Sequence, residues 1–207
     1  MILRIAGVAH FDPTGRQRLI EWLRYCSEKF GEPAFIATEW DKHILEKVLP
    51  QREELRRLIS KQWPAFSADL LKSLTLSLAY EGDTHFEVFP EAGILWLDEG
   101  REPPEDVRDY ARSRFAMYKA WLGDKVAQTD DSAILEKMSK MAAEEAGDPP
   151  SEGNERDAKF ADLILRRVAT GGDWAVIIVG KFHALNYARS MRQLLEAHKQ
   201  TCEMAFL

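Results

Sequence analysis

The sequence predicts a single α/β domain over residues 1–207, with a mixed, mostly parallel central sheet flanked by helices and an additional helical layer over the carboxyl ends of the strands. Three observations carry that prediction. Short apolar runs alternate with longer stretches of helical periodicity, as in successive strand–helix–strand units. The step Gly-x-x-His occurs twice, as Gly7-Val8-Ala9-His10 and as Gly180-Lys181-Phe182-His183, each directly after an apolar run. And 207 residues, 45% of them hydrophobic, suffice for one substantial core rather than two.

The elements follow in order. Ile2, Leu3 and Ile5 form a buried strand ended by Gly7, whose lack of a side chain frees the turn, and His10 then starts a helix. Asp12-Pro13 or Thr14 caps that helix; Leu19, Leu23, Cys26 and Phe30 fall on its inner face, and Gly31 and Pro33 stop it. Residues 34–38 read as a second buried strand that delivers Glu39 at its carboxyl end. From Trp40 to Tyr80 the pattern is helical, broken at Pro50 and Pro64, with Ser67 as a cap. A polar segment, Tyr80 to His85, leads to a third strand, Gly93 to Asp98. Pro103 and Pro104 mark a helix that ends before Gly123-Asp124, and a further helix runs from about Ser132 to Glu145. Residues 147–153, rich in Gly and Pro, make either a flap over the cleft or a plain surface connection. Asn154 caps a helix with Ala161, Ile164, Leu165 and Val168 inward. Trp174 to Val179 is the last central strand, followed by Gly180, His183, a helix containing Tyr187, Met191, Leu194 and Leu195, and an edge strand over 201–207. No internal repeat is present.

Composition excludes several classes. The net charge of -6 lacks the basic footprint of nucleic-acid binding, so no nucleic-acid partner is expected. No stretch approaches the roughly 18 apolar residues of a membrane span, and the first apolar run meets His10 too early for a secretory signal. Two cysteines, Cys26 and Cys202, make neither a zinc cluster nor a disulfide framework, and a soluble, cytoplasmic protein is expected. A Gly-x-Ser-x-Gly elbow and a phosphate-binding glycine loop are both lacking, which argues against ordinary esterases and nucleotide hydrolases.

The chemistry resides in the paired histidines. In open parallel sheets ligands bind beyond the carboxyl ends of the strands, so His10, His183 and Glu39 are expected to face one crevice. Two imidazoles and a carboxylate suit a divalent metal such as zinc, manganese or cobalt, which would activate a water for hydrolysis. The positive end of a helix dipole at each histidine is expected to keep both rings neutral, for a metal or for service as a base. Arg156 is expected to steady a carboxylate or an oxyanion, and Glu155 to orient that arginine or a histidine. Glu81, Asp83 and His85 form a second polar cluster, read either as substrate-contacting groups or as a solvated turn. His43 and His198 are read as surface residues.

These residues, taken in order, resemble the TraB, PrgY and TIKI group of a superfamily that includes erythromycin-esterase and ChaN-like proteins. The resemblance rests on Gly7-Val8-Ala9-His10, Glu39, Asn154-Glu155-Arg156-Asp157 and Gly180-Lys181-Phe182-His183, with Tyr80-Glu81-Gly82-Asp83 as a less specific element. Two positions depart from the group's usual pattern: Val8 stands where threonine is usual, and Asp157 where asparagine is common. The resemblance implies an α/β sheet with a cleft above it and, from TIKI-like members, metal-dependent cleavage of a peptide or amide bond in a small-molecule or peptide substrate. Erythromycin-esterase relatives imply a metal-free alternative with a histidine base, and a ChaN-like relative implies a non-catalytic ligand- or haem-binding module.

Overall fold

The computed structural model describes all residues except 101–108, 124–125, 127–129 and 146–149. Each apolar run becomes a strand: β1 (Ile2–Val8), β2 (Ile36–Thr38), β3 (Ile94–Trp96), β4 (Trp174–Gly180) and β5 (Thr201–Phe206). They form one sheet in the order β3-β2-β4-β1-β5. Every pairing is parallel, so the expected mixed sheet is wholly parallel, and the chain's last strand joins β1 at the edge in the same direction.

A parallel sheet needs cover on both faces, and the alternation of side chains along β1 and β4 supplies two apolar surfaces. Leu3, Ile5, Ala175, Ile177 and Val179 point to one core, shared with Phe160, Ala161 and Ile164 of α8 (Glu155–Val168) and with Met191 and Leu195 of α10 (Met191–Ala197). Ala6, Val8, Val176 and Ile178 point to the other, built with Leu19, Leu23 and Cys26 of α1 (Gly15–Phe30). A third core is purely helical. It joins α2 (Lys42–Val48), α3 (Gln51–Gln62), α4 (Ala68–Leu76), α6 (Tyr110–Leu122) and α7 (Asp131–Glu145) through Leu55, Ile59, Leu74, Tyr118 and Met138. This is the expected helical layer; Ile44, Tyr110, Arg114 and Ala142 carry it over the strand ends.

Several boundaries move for identifiable reasons. His10 does not start a helix: Asp12 Oδ1 accepts from the Thr14 amide at 2.8 Å, holding a turn, and α1 begins only at Gly15. Phe30 is 39% exposed rather than inward, because its ring lies 3.5 Å beneath the Arg4 guanidinium. Tyr187 precedes the last helix, which starts after Ser190, whose hydroxyl accepts from the Gln193 amide. The segment read as a polar turn is a helical turn, α5 (Tyr80–Asp83), running into a 3₁₀ turn at Thr84–Glu87, and it is largely buried. The start at Pro103-Pro104 lies outside the described residues, as do 147–149 of the glycine-proline loop; the end of that loop is pinned where the Gly153 amide donates to the Ala188 carbonyl at 2.7 Å.

The glycines of the two Gly-x-x-His steps matter for approach rather than for turning. Neither has a positive φ. A β-carbon on Gly7 would lie 2.9 Å from that of Ala184 in α9 (Lys181–Ala184), so glycine lets α9 sit against β1. Gly7→Ala should therefore cost about 1–3 kcal/mol by overpacking. Gly93→Ala, which would meet only the tip of the flexible Arg167 at 3.3 Å, should be nearly neutral. Equilibrium denaturation of the two variants tests the contrast, and equal stabilities would contradict it.

Candidate active site

The sheet order turns distant residues into neighbours. Across its carboxyl edge, β3, β2, β4 and β1 are followed by Asp98, Glu39, His183 and His10 respectively, one polar side chain per strand. The two imidazoles meet at the carboxylate from the strand beside β4: His183 Nε2 is 3.5 Å from Glu39 Oε1, and His10 Nε2 is 3.9 Å from Glu39 Oε2. Gly180 makes this possible, since a β-carbon there would lie 2.5 Å from His10 Nε2 and 3.2 Å from Glu39 Oε2. Its amide donates to Glu39 Oε2 at 2.6 Å.

Each ring is held from behind by its own acid. His183 Nδ1 donates to Asp157 Oδ1 at 2.9 Å. Asp157 is fully buried and belongs to the capping box of α8: Asn154 accepts from the Asp157 amide while Asp157 Oδ2 accepts from the Asn154 amide at 3.1 Å. The Met191 amide also donates to it at 2.8 Å, so one side chain caps α8, anchors the start of α10 and orients a histidine. On the other side His10 Nδ1 donates to Glu81 Oε1 at 2.9 Å. Glu81 lies in α5, which Ala79 enters with φ 56°, and the Tyr80 hydroxyl of the same turn donates to the Ala9 carbonyl at 3.0 Å. Thus α5 fixes both the backbone and the ring of the first histidine.

Arg156, in the first turn of α8, closes the network. Its Nη2 donates to Glu39 Oε1 at 2.7 Å and to Asp98 Oδ2 at 2.6 Å. Burial works against the charge of Glu39, but the hydrogen bond from His183 and the positive charges around it prevail and hold the carboxyl far below its usual range. For His183, desolvation is likewise outweighed by the hydrogen bonds to Asp157 and Glu39, and its pKa rises to about 9. His10 is raised as well: desolvation opposes the proton, while the bond to Glu81 and the charges of Glu39 and Glu81 favour it. The expectation that helix dipoles keep both rings neutral is therefore corrected. His10 lies in no helix, α9 has only four residues, and three carboxylates at contact distance outweigh any dipole.

The cleft above this line has two lobes of about 220 and 260 Å³ that share His10, Phe11, Glu39 and Arg156. One is walled by Trp40, Asp41, Ile44, Tyr110 and Arg114, the other by Val8, Ala142, Lys181, Phe182 and His183. His10, Glu39 and Arg156 therefore stand where the lobes join, with open space on either side.

Five expected residues are brought together: His10, Glu39, Glu81, Arg156 and His183. Three are not. Asp83 pairs with Arg52, whose Nη2 donates at 3.0 Å, away from the cleft. His85 is wholly buried with neither ring nitrogen hydrogen-bonded among the described residues, and burial lowers its pKa to about 4. Glu155 is exposed, and its neighbour Asp157 takes the orienting role assigned to it. The reading as a solvated turn fails too, since Glu81, Thr84 and His85 are buried. His43 and His198 are exposed, as expected. Asp98, Asp157 and Arg114 were not anticipated as site residues; only Asp157 carried a signal, its place after Glu-Arg at a helix start.

No protein-family model matches the chain, and neither curated proteins nor solved structures give a match. Among the described residues no helix is long and apolar enough to cross a membrane.

Two histidines set opposite pH limits on stability. A free imidazole titrates at 6.5; His183 in the fold holds its proton to about 9, so its contribution is complete below 6.5 and is lost as pH rises through about 9. His85, at about 4, contributes fully above 6.5 and loses that contribution as pH falls through about 4. In chelator-treated protein, melting temperature against pH should show a shallower alkaline slope in Asp157→Asn and a shallower slope between pH 6.5 and about 4 in His85→Leu. An unchanged alkaline slope in Asp157→Asn would refute the ion pair.

Proposed function

We propose that this cleft hydrolyses an amide or peptide bond in a small-molecule or peptide substrate, by activating a water between the two histidines. One observation carries the reading: both Nε2 atoms turn toward the Glu39 carboxylate, and each Nδ1 is tied to a separate buried acid, which fixes tautomer and ring direction. The resemblance to the TraB, PrgY and TIKI group, carried by the residues named above, points the same way.

Roles follow from position. His10, the more open ring with 37% of its side chain exposed, takes the proton of the attacking water, and Glu81 stabilises the imidazolium that results. Arg156 at the junction of the lobes and the protonated His183 in the second lobe supply positive charge for the developing oxyanion. Glu39 holds these groups in register through Arg156 and the Gly180 amide.

By residue type His10, Glu39 and His183 are a donor set that a divalent ion such as manganese, cobalt or zinc accepts, two imidazoles backed by carboxylates and one further carboxylate, although among the described residues their atoms do not converge as a metal-binding group. When bound, the ion supplies Lewis acidity and lowers the proton affinity of an adjoining water. A metal-free hydrolase is the second reading. It is favoured by Glu39 already receiving the Arg156 guanidinium and the Gly180 amide on its two oxygens. The free thiols of Cys26 and Cys202 suit a cytoplasmic setting.

The test is turnover of a dipeptide-amide library by chelator-treated protein, alone and with each ion. Activity that requires an ion, with metal content lost in His10→Ala and His183→Ala, supports the metal reading; activity that survives chelation supports the second; no turnover in any condition removes both. For an active enzyme, His10→Ala should cost about 10²–10⁴-fold in kcat and Arg156→Gln about 10²–10³-fold. Under metal-free turnover kcat/KM should rise with pH through a limb above 6.5, and Glu81→Gln should move that limb down, because Glu81 raises the His10 pKa. A limb that stays in place would remove Glu81 from the mechanism.

A further inference from the structure

We propose that the lobe between α2 and α6 recognises a carboxylate on the substrate, with Arg114 as its anchor, so that the substrate class is an amide bearing a nearby carboxylate, such as an N-acyl amino acid or the carboxyl end of a peptide. The proposal rests on the cleft being the substrate site. Arg114 is only 6% exposed, yet among the described residues it has no carboxylate partner. Its neighbours are neutral: Nη1 donates to the His10 carbonyl at 3.3 Å, and the guanidinium lies 4.4 Å over the Phe11 ring and beside the Tyr118 hydroxyl.

The acids of the same lobe are all engaged. Glu39 and Asp98 receive Arg156, Glu81 receives His10, and Asp41 accepts from the Ile44 and Gly100 amides at 3.0 and 2.9 Å. A buried cation is costly without a counter-ion, and none of these acids is free to move to Arg114 without abandoning its own partner. The missing charge therefore comes with the ligand. Because Arg114 grips the carbonyl of His10 itself, an anion bound there lies next to the ring that faces Glu39, a few atoms from the scissile bond. Four lining carboxylates favour a monoanion over a phosphate dianion. Phe11, Trp40 and Tyr110 offer flat walls for the group that carries it.

The experiment is isothermal titration of the chelator-treated full chain with benzoate, its neutral counterpart benzamide, and phenylphosphonate. Benzoate should bind about 10-fold tighter than benzamide, the worth of one charged hydrogen-bonded contact. Arg114→Met should abolish that ratio, and Arg114→Lys should retain part of it, since lysine keeps the charge but not the planar fork. Equal binding of benzoate and benzamide to the unaltered protein overturns the proposal without any variant. So does a ratio that persists in Arg114→Met, which would place the anion on Arg156 or Lys181. Phenylphosphonate binding tighter than benzoate would overturn the choice of carboxylate. His10→Ala should abolish turnover and keep the benzoate preference, so failure of the hydrolase reading and failure of the anchor are read separately.

Discussion

The structure turns on a carboxylate placed where water barely reaches it. Glu39 is 8% exposed at the end of a strand that the sheet buries. A carboxylate in such a place costs several kcal/mol to desolvate unless its charge is met by close, well-aligned donors. Those donors come from far along the chain: the Gly180 amide from β4, the Arg156 guanidinium from α8, and the two imidazoles from the ends of β1 and β4. The strand order is what supplies them, because β4 lies between β2 and β1 although it follows both in sequence. Had β4 added at an edge, Glu39 would have lost its amide donor and the histidines would have lost their meeting point.

This dependence runs outward as well. Arg156 reaches Glu39 only because α8 starts where it does, and Asp157 fixes that start through the capping box. Asp157 in turn holds His183 and the first amide of α10, so helix termination and ring orientation share one side chain. On the opposite flank α5 plays the same part with Glu81 and Tyr80. The network is therefore assembled from local structure that would be needed for folding in any case.

The strands and the paired histidines were legible because their signals are local: an apolar run, a glycine, a histidine. The reason for the glycines was not. Gly7 and Gly180 serve close approach, a property of the partner across the gap, which no local window contains. Glu81 was legible as part of a polar cluster, but its neighbours were assigned to the same side as though the segment were extended. In a helical turn successive residues rotate by about 100°, so Glu81 and Asp83 face nearly opposite ways, one to His10 and the other to Arg52. Asp98 looks like any acid after a short strand, and Arg114 ends a stretch dense in charges, which reads in sequence as a solvated face although the helix is partly buried. The dipole argument failed on magnitude, since a partial charge at a helix end is weaker than full charges in hydrogen-bond contact.

Charge balance shows why the metal-dependent and metal-free readings name the same residues. Four buried acids, Glu39, Glu81, Asp98 and Asp157, bond to Arg156 or to the two imidazoles, and the one guanidinium leaves three negative charges uncompensated. Protonating His10 and His183 supplies two of those three charges, and the raised pKa values of both histidines express that demand. A divalent ion that displaced the two ring protons would leave the same sum. The cleft thus holds two protonated rings beside Glu39, and under the metal reading proposed above an ion would have to displace both ring protons at that one location.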